Sequence, residues 1–155
     1  INQSMDQLMK YDIQPFRKLI AKGVGAIMSS HAKVTSSPDP HRPVSLSRYW
    51  ITEVLRHQLN FGGLIITDTL AMSAVRNSYP IEQASIEAIY AGNDLLLIES
   101  GSERSILNSI CERLKRKDHK SRILNYEIQA SLQRIHTAKS KLHNFPRVLA
   151  TKSPP

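Results

Sequence analysis

The sequence has one cysteine, few aromatic residues and no long apolar run, and each scarcity excludes a class of protein. A single cysteine, Cys111, can form neither an internal disulfide nor a cysteine-only metal site. Its apolar neighbours at helical spacing predict a core thiol. No segment approaches the ~20 apolar residues of a membrane-spanning helix, and no charged-then-apolar leader follows Ile1. We therefore expect a globular, cytoplasmic protein with no membrane partner.

The chain is strongly basic, with a net charge of +8. Such a charge permits contact with nucleic acid, and the cations do cluster late in the chain, at Arg113, Lys115, Arg116, Lys117 and Lys120. However, aromatic residues make up only 6% of the sequence and do not interleave with this cluster. The aromatic side chains on which the bases of a single-stranded nucleic acid would stack are therefore missing. We interpret the cluster as a solvated helix end. No nucleic-acid partner is predicted, and a basic nucleic-acid-binding module is the least favoured alternative.

Helical patterns alternate with three short apolar runs at residues 24–28, 64–66 and 95–98. Gly23 and Gly92 end the helices before the first and third runs, and Ser47 can cap a helix that carries Trp50. Strands that are apolar on both faces and separated by helices belong to a parallel sheet covered by helices. The sequence therefore predicts an α/β fold. Neither G-x-G-x-x-G nor a Walker sequence is present to indicate a nucleotide-binding sheet.

Two further helices are predicted after the last strand, at about residues 103–116 and 122–142. The second has one apolar face, formed by Leu124, Ile128, Leu132, Ile135, Ala138 and Leu142. Residues 144–155 contain several prolines and no sustained apolar period, so they are predicted to form a disordered C-terminal tail. The predicted domain is thus residues 1–143.

Candidate reactive groups follow the predicted strands, because parallel α/β folds carry their chemistry at the carboxyl ends of the strands. His31 follows the first strand, Asp68 the second and Glu99 the third. A carboxylate directly after a buried strand usually needs hydrogen bonds or a functional role, but an aspartate such as Asp68, taken alone, is more often a cap for the following helix. His31, taken alone, is likewise more often a hydrogen-bonded structural residue. No set of residues at ligand spacing indicates a metal.

Several longer strings are more informative, and they occur in a fixed order. They are Asp12-Ile-Gln-Pro-Phe-Arg17, Gly23-Val-Gly-Ala-Ile-Met-Ser-Ser-His31, Pro43-Val-Ser-Leu-Ser47, Leu55-Arg56, Phe61-Gly-Gly-Leu-Ile-Ile-Thr-Asp68 with Leu70 and Met72, and Ala91-Gly-Asn-Asp-Leu-Leu-Leu97 preceded by Ala88. Together they resemble family 3 glycoside hydrolases, in particular the β-N-acetylglucosaminidases that trim cell-wall muropeptides. The resemblance covers about residues 2–143.

This resemblance implies a partial (β/α)8 TIM barrel, of which the chain supplies about the last three β/α units plus C-terminal helices. It implies that Asp68 is the catalytic nucleophile of a retaining hydrolase, that Met72 and His31 bind the sugar substrate, and that no cofactor is needed. Thr-Asp followed by Leu resembles the N-acetylglucosaminidase branch, although Thr69 stands where many members have a second aspartate. The expected function is hydrolysis of terminal β-linked N-acetylglucosamine from muropeptides or related glycosides.

The general acid of that branch is a histidine on a loop that follows a Lys-His-Phe-Pro-Gly-His-Gly-Asp string, and none of the six histidines here lies in such a string. The resemblance therefore implies the C-terminal half of a catalytic barrel without its acid/base, whose partner is the N-terminal half-barrel. We expect the isolated chain to be inactive and unstable, because unpaired strand edges and inner faces would be exposed. A non-catalytic remnant that folds against a partner is the main alternative.

Overall fold

Three parallel strands form a single sheet in the computed structural model, which describes residues 1–143. The strands are β1 (Ala26–Ser29), β2 (Leu64–Thr69) and β3 (Leu95–Leu97), and they lie side by side in chain order. Ala26 is paired with Leu64 and Met28 with Ile66, which is in turn paired with Leu95. The predicted tail, residues 144–155, lies outside the described residues.

Helices precede, connect and follow the strands. The α-helices are α1 (Met5–Gln7), α2 (Gln14–Ala21), α3 (Ser73–Arg76), α4 (Ile81–Ala91), α5 (Glu103–Lys115) and α6 (His119–His143). Two segments are π-helical, Leu8–Asp12 and Tyr49–Gln58, and Val44–Leu46 forms one turn of 3₁₀-helix. Consecutive β/α units with neighbouring parallel strands are the arrangement of part of an α/β barrel. The predicted fold class is therefore confirmed.

The predicted helix after Ser47 is present, but its hydrogen bonds span five residues rather than four over Tyr49–Gln58. The Ser47 hydroxyl accepts the Trp50 N–H at 3.3 Å, as expected of a capping serine. At the other end, the Leu59 N–H donates to the Val54 carbonyl at 2.9 Å. The spacing of apolar residues in the sequence predicts a helix here. It does not distinguish a π-helix, whose hydrogen bonds join residues five positions apart, from an α-helix.

Two apolar clusters cover one face of the sheet. The larger joins Ile65 of β2 to the π-helical segment Tyr49–Gln58, and Trp50 packs within it. The smaller joins Leu70 and Val75 to the alanines of α4. Ile65 and Leu70 are both fully buried. Because strand side chains alternate between faces, this packing decides which side chains of β2 face the helices and which face away.

The long helix α6 is held against the sheet layer by charged pairs as well as by apolar packing. Glu127 accepts from Arg48 at 2.8 Å, and Arg134 Nε donates to Asp94 at 2.7 Å. Leu124 is fully buried, but two members of the predicted apolar face are exposed, Leu132 at 56% and Leu142 at 68%. The prediction of one continuous apolar face was therefore wrong, because polar side chains on the same helix make much of the contact.

Asp94 is the centre of this docking. Its side chain is fully buried, and its two oxygens accept from Arg56 at 2.6 Å, from Arg134 at 2.7 Å and from the Ile65 N–H at 2.7 Å. Burial lowers the pKa of the Arg56 guanidinium, and the charge of Asp94 opposes that effect. One carboxylate thereby joins the π-helical segment, the start of β2 and α6.

Three of the five cations in the late basic cluster, Arg113, Lys115 and Lys120, pair with neighbouring carboxylates. Arg113 donates to both oxygens of Asp118 at 3.0 Å, and this interaction holds the pKa of Asp118 well below its usual range. Lys115 pairs with Glu112 at 2.5 Å, and Lys120 pairs with Glu87. These pairings agree with a structural interpretation of the cluster and disfavour a nucleic-acid surface.

Cys111 is exposed rather than buried in the core. The prediction of a core thiol was wrong, because the helix that carries it, α5, buries only Ile106 among its residues. Within residues 1–143, no helix has the length and apolar character to cross a bilayer. The same residues contain no cluster of three or more histidines, cysteines or acidic residues that could hold a metal ion.

Candidate active site

The residues proposed from the sequence lie together at the carboxyl edge of the sheet. Asp68 is the fifth residue of the six-residue strand β2, and His31 follows the end of β1. The ring of His31 contacts the backbone carbonyl of Thr69, which is the residue directly after Asp68. Asp68 and His31 therefore lie at the same edge of the sheet.

The Asp68 carboxylate is half-buried and is held by a single hydrogen bond. Its Oδ1 accepts the N–H of Thr69 at 2.7 Å, and among residues 1–143 it makes no other hydrogen bond or ion pair. The following helix α3 has Met72 at its N-cap and no side-chain capping bond. The alternative in which Asp68 serves as a helix cap is therefore wrong for this structure.

Asp68 also lies on the open face of the sheet. Side chains alternate along a strand, so Asp68 shares a face with Ile66, whereas Ile65 and Thr67 point to the buried helical side. The neighbours of Ile66 on this face, Met28 at 55% and Leu95 at 37%, are exposed. The free oxygen of Asp68 is therefore at the end of an uncovered apolar sheet face.

His31 is buried, at 7% exposure, and both of its ring nitrogens are bonded to the protein. Nδ1 lies 2.7 Å from the Ser45 hydroxyl, and Nε2 lies 2.9 Å from the Thr69 carbonyl oxygen. No ring nitrogen remains to meet a ligand. The implied role of His31 in direct sugar binding is not supported by this geometry.

Met72 lies at the same edge of the sheet, shortly after β2. Its side chain is 43% exposed, and its backbone N–H donates to the Thr69 carbonyl at 3.1 Å, which closes a turn directly after the strand. Glu99, which follows β3, is exposed, and among residues 1–143 its carboxylate forms only a long contact of 3.8 Å with Arg76. Met72 is thus available to a ligand at this edge, and Glu99 has no comparable anchoring.

A buried polar cluster lies beneath this edge of the sheet, and its members were not predicted from the sequence as site residues. Asn93 is 1% exposed; it accepts from the Ser29 hydroxyl at 2.8 Å and donates to the Ser45 carbonyl at 2.8 Å and the Ala88 carbonyl at 2.7 Å. Ser45 and Asn93 belong to the strings that carried the family resemblance. That membership was the available signal, since spacing alone gives no reason to connect residues 48 positions apart.

Comparison with known proteins identifies a matching protein family. The profile of the family described as "Glycosyl hydrolase family 3 N terminal domain" matches residues 1–138. A β-hexosaminidase of Haemophilus ducreyi is 37% identical over 148 residues, which cover 89% of this chain and 42% of that protein. An uncharacterized secreted glycosyl hydrolase of Arthroderma benhamiae is 34% identical over 145 residues, covering 92% of this chain and 40% of that protein.

Solved structures give the same picture. A glycoside hydrolase family 3 β-N-acetylglucosaminidase from a Paenibacillus species superposes with a TM-score of 0.83 and 25% identity, covering 99% of this chain and 29% of that one. The β-N-acetylglucosaminidase from Thermotoga maritima gives a TM-score of 0.80 at 24% identity, covering 90% of this chain and 30% of that one, and shares the fold. The chain spans less than half the length of each of these relatives.

Proposed function

Because the chain belongs to glycosyl hydrolase family 3, we propose that it forms the nucleophile-bearing part of a retaining β-N-acetylglucosaminidase. The observation that carries this proposal is the Asp68 carboxylate, half-buried at the end of the central strand, with one oxygen held by a backbone N–H and the other unbonded within residues 1–143. In this proposal the free oxygen attacks the anomeric carbon of the sugar. Water then hydrolyses the covalent glycosyl-enzyme with net retention.

The second catalytic group of this mechanism would come from outside residues 1–143. A retaining glycosidase needs an acid to protonate the leaving oxygen and a base to activate water. His31 is committed at both ring nitrogens, and Glu99 is an exposed residue of the rim. We therefore propose that the acid/base lies on a separate half-barrel, since the chain spans less than half the length of its relatives.

The same half-barrel is the proposed partner of the open sheet face. In a closed (β/α)8 barrel, the face away from the helices is the packed interior. Here Met28, Leu95 and Leu97 are 37–55% exposed on that side, and Phe16 and Leu19 are exposed on α2, next to the edge strand. Apolar surface at these places is suited to contact with preceding β/α units.

The proposed substrate is a terminal β-linked N-acetylglucosamine, of a muropeptide or a related glycoside. The names of the relatives support the hexosaminidase class; the muropeptide rests on the resemblance seen in the sequence, and the cytoplasmic location is proposed from the composition. Met72, exposed at the edge that carries Asp68, is the proposed sugar contact. His31 is left out of the proposed sugar contacts.

A hybrid enzyme tests the proposal. The chain replaces the aligned segment of the Haemophilus ducreyi β-hexosaminidase, and hydrolysis of an aryl β-N-acetylglucosaminide is followed. We expect the hybrid to be active and Asp68→Asn to reduce kcat on the order of 10³-fold or more, because the amide cannot form the glycosyl-enzyme. The 155-residue chain alone should show no turnover, since none of the residues 1–143 positions an acid beside Asp68.

Glu99→Gln is the matched control, since it removes a carboxylate from the same edge without touching Asp68. We expect this variant to keep the activity of the hybrid. A folded hybrid that is inactive, or one whose activity survives Asp68→Asn, would contradict the proposal and favour a non-catalytic half-barrel. Clear turnover by the chain alone that disappears in Asp68→Asn would contradict the external acid.

A further inference from the structure

The turn that follows Asp68 is fixed at one atom, the carbonyl oxygen of Thr69. This oxygen accepts the N–H of Met72 at 3.1 Å and faces Nε2 of His31 at 2.9 Å. The N–H of the same residue, Thr69, donates to Oδ1 of Asp68 at 2.7 Å. One residue therefore connects the histidine ring to the proposed nucleophile through its two backbone polar groups.

The partners of His31 determine where its proton lies. A carbonyl oxygen can only accept, so Nε2 carries hydrogen and donates to Thr69. In the neutral ring Nδ1 is then an acceptor, and the Ser45 hydroxyl, 2.7 Å away, donates to it. The opposite neutral tautomer would set two acceptors against each other at 2.9 Å. Of the two neutral tautomers, these hydrogen bonds are compatible only with the one that carries hydrogen on Nε2.

Ser45 is itself held on both sides, which makes it a rigid support for the ring. Its N–H donates to the Ser30 carbonyl at 3.0 Å, and its carbonyl accepts from Asn93 at 2.8 Å. Ser45 is fully buried and Asn93 nearly so. A partner whose own geometry is determined by buried hydrogen bonds can fix the orientation of a side chain to which it bonds.

We propose that His31 is a positioning residue: as the Nε2–H tautomer held by Ser45, it anchors the Thr69 carbonyl and so restrains Thr69, whose N–H, in the preceding peptide unit, orients the Asp68 carboxylate. This inference rests on the proposed role of Asp68 as nucleophile and assigns His31 a different task from sugar binding. It also gives the buried cluster of Ser45 and Asn93 a purpose, which is to keep one oxygen of Asp68 bonded and the other directed at the open sheet face.

The first test is a long-range proton–nitrogen NMR spectrum of the imidazole rings, recorded on the 155-residue chain and on the hybrid enzyme, with His31→Gln to assign the resonance. We expect the neutral ring of His31 to carry hydrogen on Nε2. Ser45→Ala should remove the donor to Nδ1 and weaken this preference. A neutral ring with hydrogen on Nδ1 would overturn the proposal, because Nε2 could not then donate to Thr69.

The second test separates positioning from binding and from packing, in the hybrid enzyme. His31→Leu should lower kcat about 10- to 100-fold with KM little changed, since a misplaced nucleophile slows the reaction without weakening substrate binding. His31→Gln, whose amide can donate to the Thr69 carbonyl, should restore most of kcat. Thr52→Val breaks a buried hydrogen bond outside this cluster, that of the Thr52 hydroxyl to the Ala91 carbonyl at 2.7 Å, and should leave kcat close to that of the parent.

Three results would count against positioning. A raised KM with unchanged kcat in His31→Leu would return His31 to substrate binding. Equal losses in His31→Leu and His31→Gln, or an equal loss in Thr52→Val, would indicate a packing role only. Because the tautomer is measured without substrate, failure of the glycosidase assay alone would affect the proposed function and leave the geometry of His31 to be judged by NMR.

Discussion

Replacing Asp94 with asparagine should destabilise the fold more than any other single loss of charge described above. The wild-type carboxylate is fully buried and accepts from two guanidiniums and one backbone N–H. Asparagine keeps the approximate shape but removes the negative charge, and its amide presents hydrogens where an acceptor is needed. The two arginines, whose side chains are only 11% and 23% exposed, then repel each other without the carboxylate that they share.

The magnitude follows from that burial. Removing one partner of a buried ion pair costs about 3–5 kcal/mol, because the remaining charge is uncompensated. For a chain of this length, a loss of that size lowers Tm by roughly 10 °C. Solvent screening reduces this cost only slightly, because both guanidiniums are less than a quarter exposed. The effect should appear in stability, since Asp94 contacts Ile65 at the start of β2 rather than Asp68.

Urea unfolding followed by the fluorescence of Trp50, the only tryptophan, measures the loss. Glu112→Gln serves as the control, because it removes the partner of Lys115 at a site where both side chains are 70% exposed, and no measurable change is expected there. A loss of less than about 1 kcal/mol in Asp94→Asn would refute the reasoning, since it would mean that water or a rearranged arginine compensates the buried charges.

Two further predictions concern the backbone of α4 and the turn before α6. Gly92→Ala should destabilise the fold by about 1–2 kcal/mol or more in the same urea assay. Gly92 has φ +106°, and an added Cβ would lie 2.9 Å from the Thr52 hydroxyl. An unchanged urea midpoint would contradict this prediction. The stabilising effect of Asp118 should be present above its ordinary pKa of about 4 and be lost as pH falls through its lowered folded pKa. The difference in Tm between wild type and Asp118→Asn should therefore shrink as the pH is lowered below about 4, and a constant difference would argue against the Arg113 interaction as its source.

Much of the fold could be predicted from periodicity, because apolar strands between helical segments leave a clear pattern. Strands β2 and β3 start at the predicted residues, and the glycines predicted to end α2 and α4 do follow those helices. The pattern was less reliable where polar side chains make the contacts. Leu132 of α6 is exposed whereas Glu127 is buried, because Arg48 provides a partner that no local pattern reveals.

The candidate site divides in the same way. The edge position of Asp68 and His31 follows from the rule that parallel strands end together, so the order of strands and helices along the chain is enough to predict it. What His31 does there depends on Ser45 and on the Thr69 carbonyl, which are 14 and 38 residues away along the chain. Contacts between residues so far apart in the sequence, one of them to a backbone oxygen, are set by tertiary packing. No spacing of residues along the chain predicts them.

The two ends of β2 serve different needs. Ile65, near its start, receives the buried carboxylate that fastens α6, and Asp68, near its finish, presents the candidate nucleophile. Three residues of strand, about 10 Å, separate them, which is far enough for substitutions at the two ends to have roughly additive effects. The chain could therefore accumulate stabilising changes around Asp94 while its chemistry is altered around Asp68, and directed evolution could treat the two ends as separate targets.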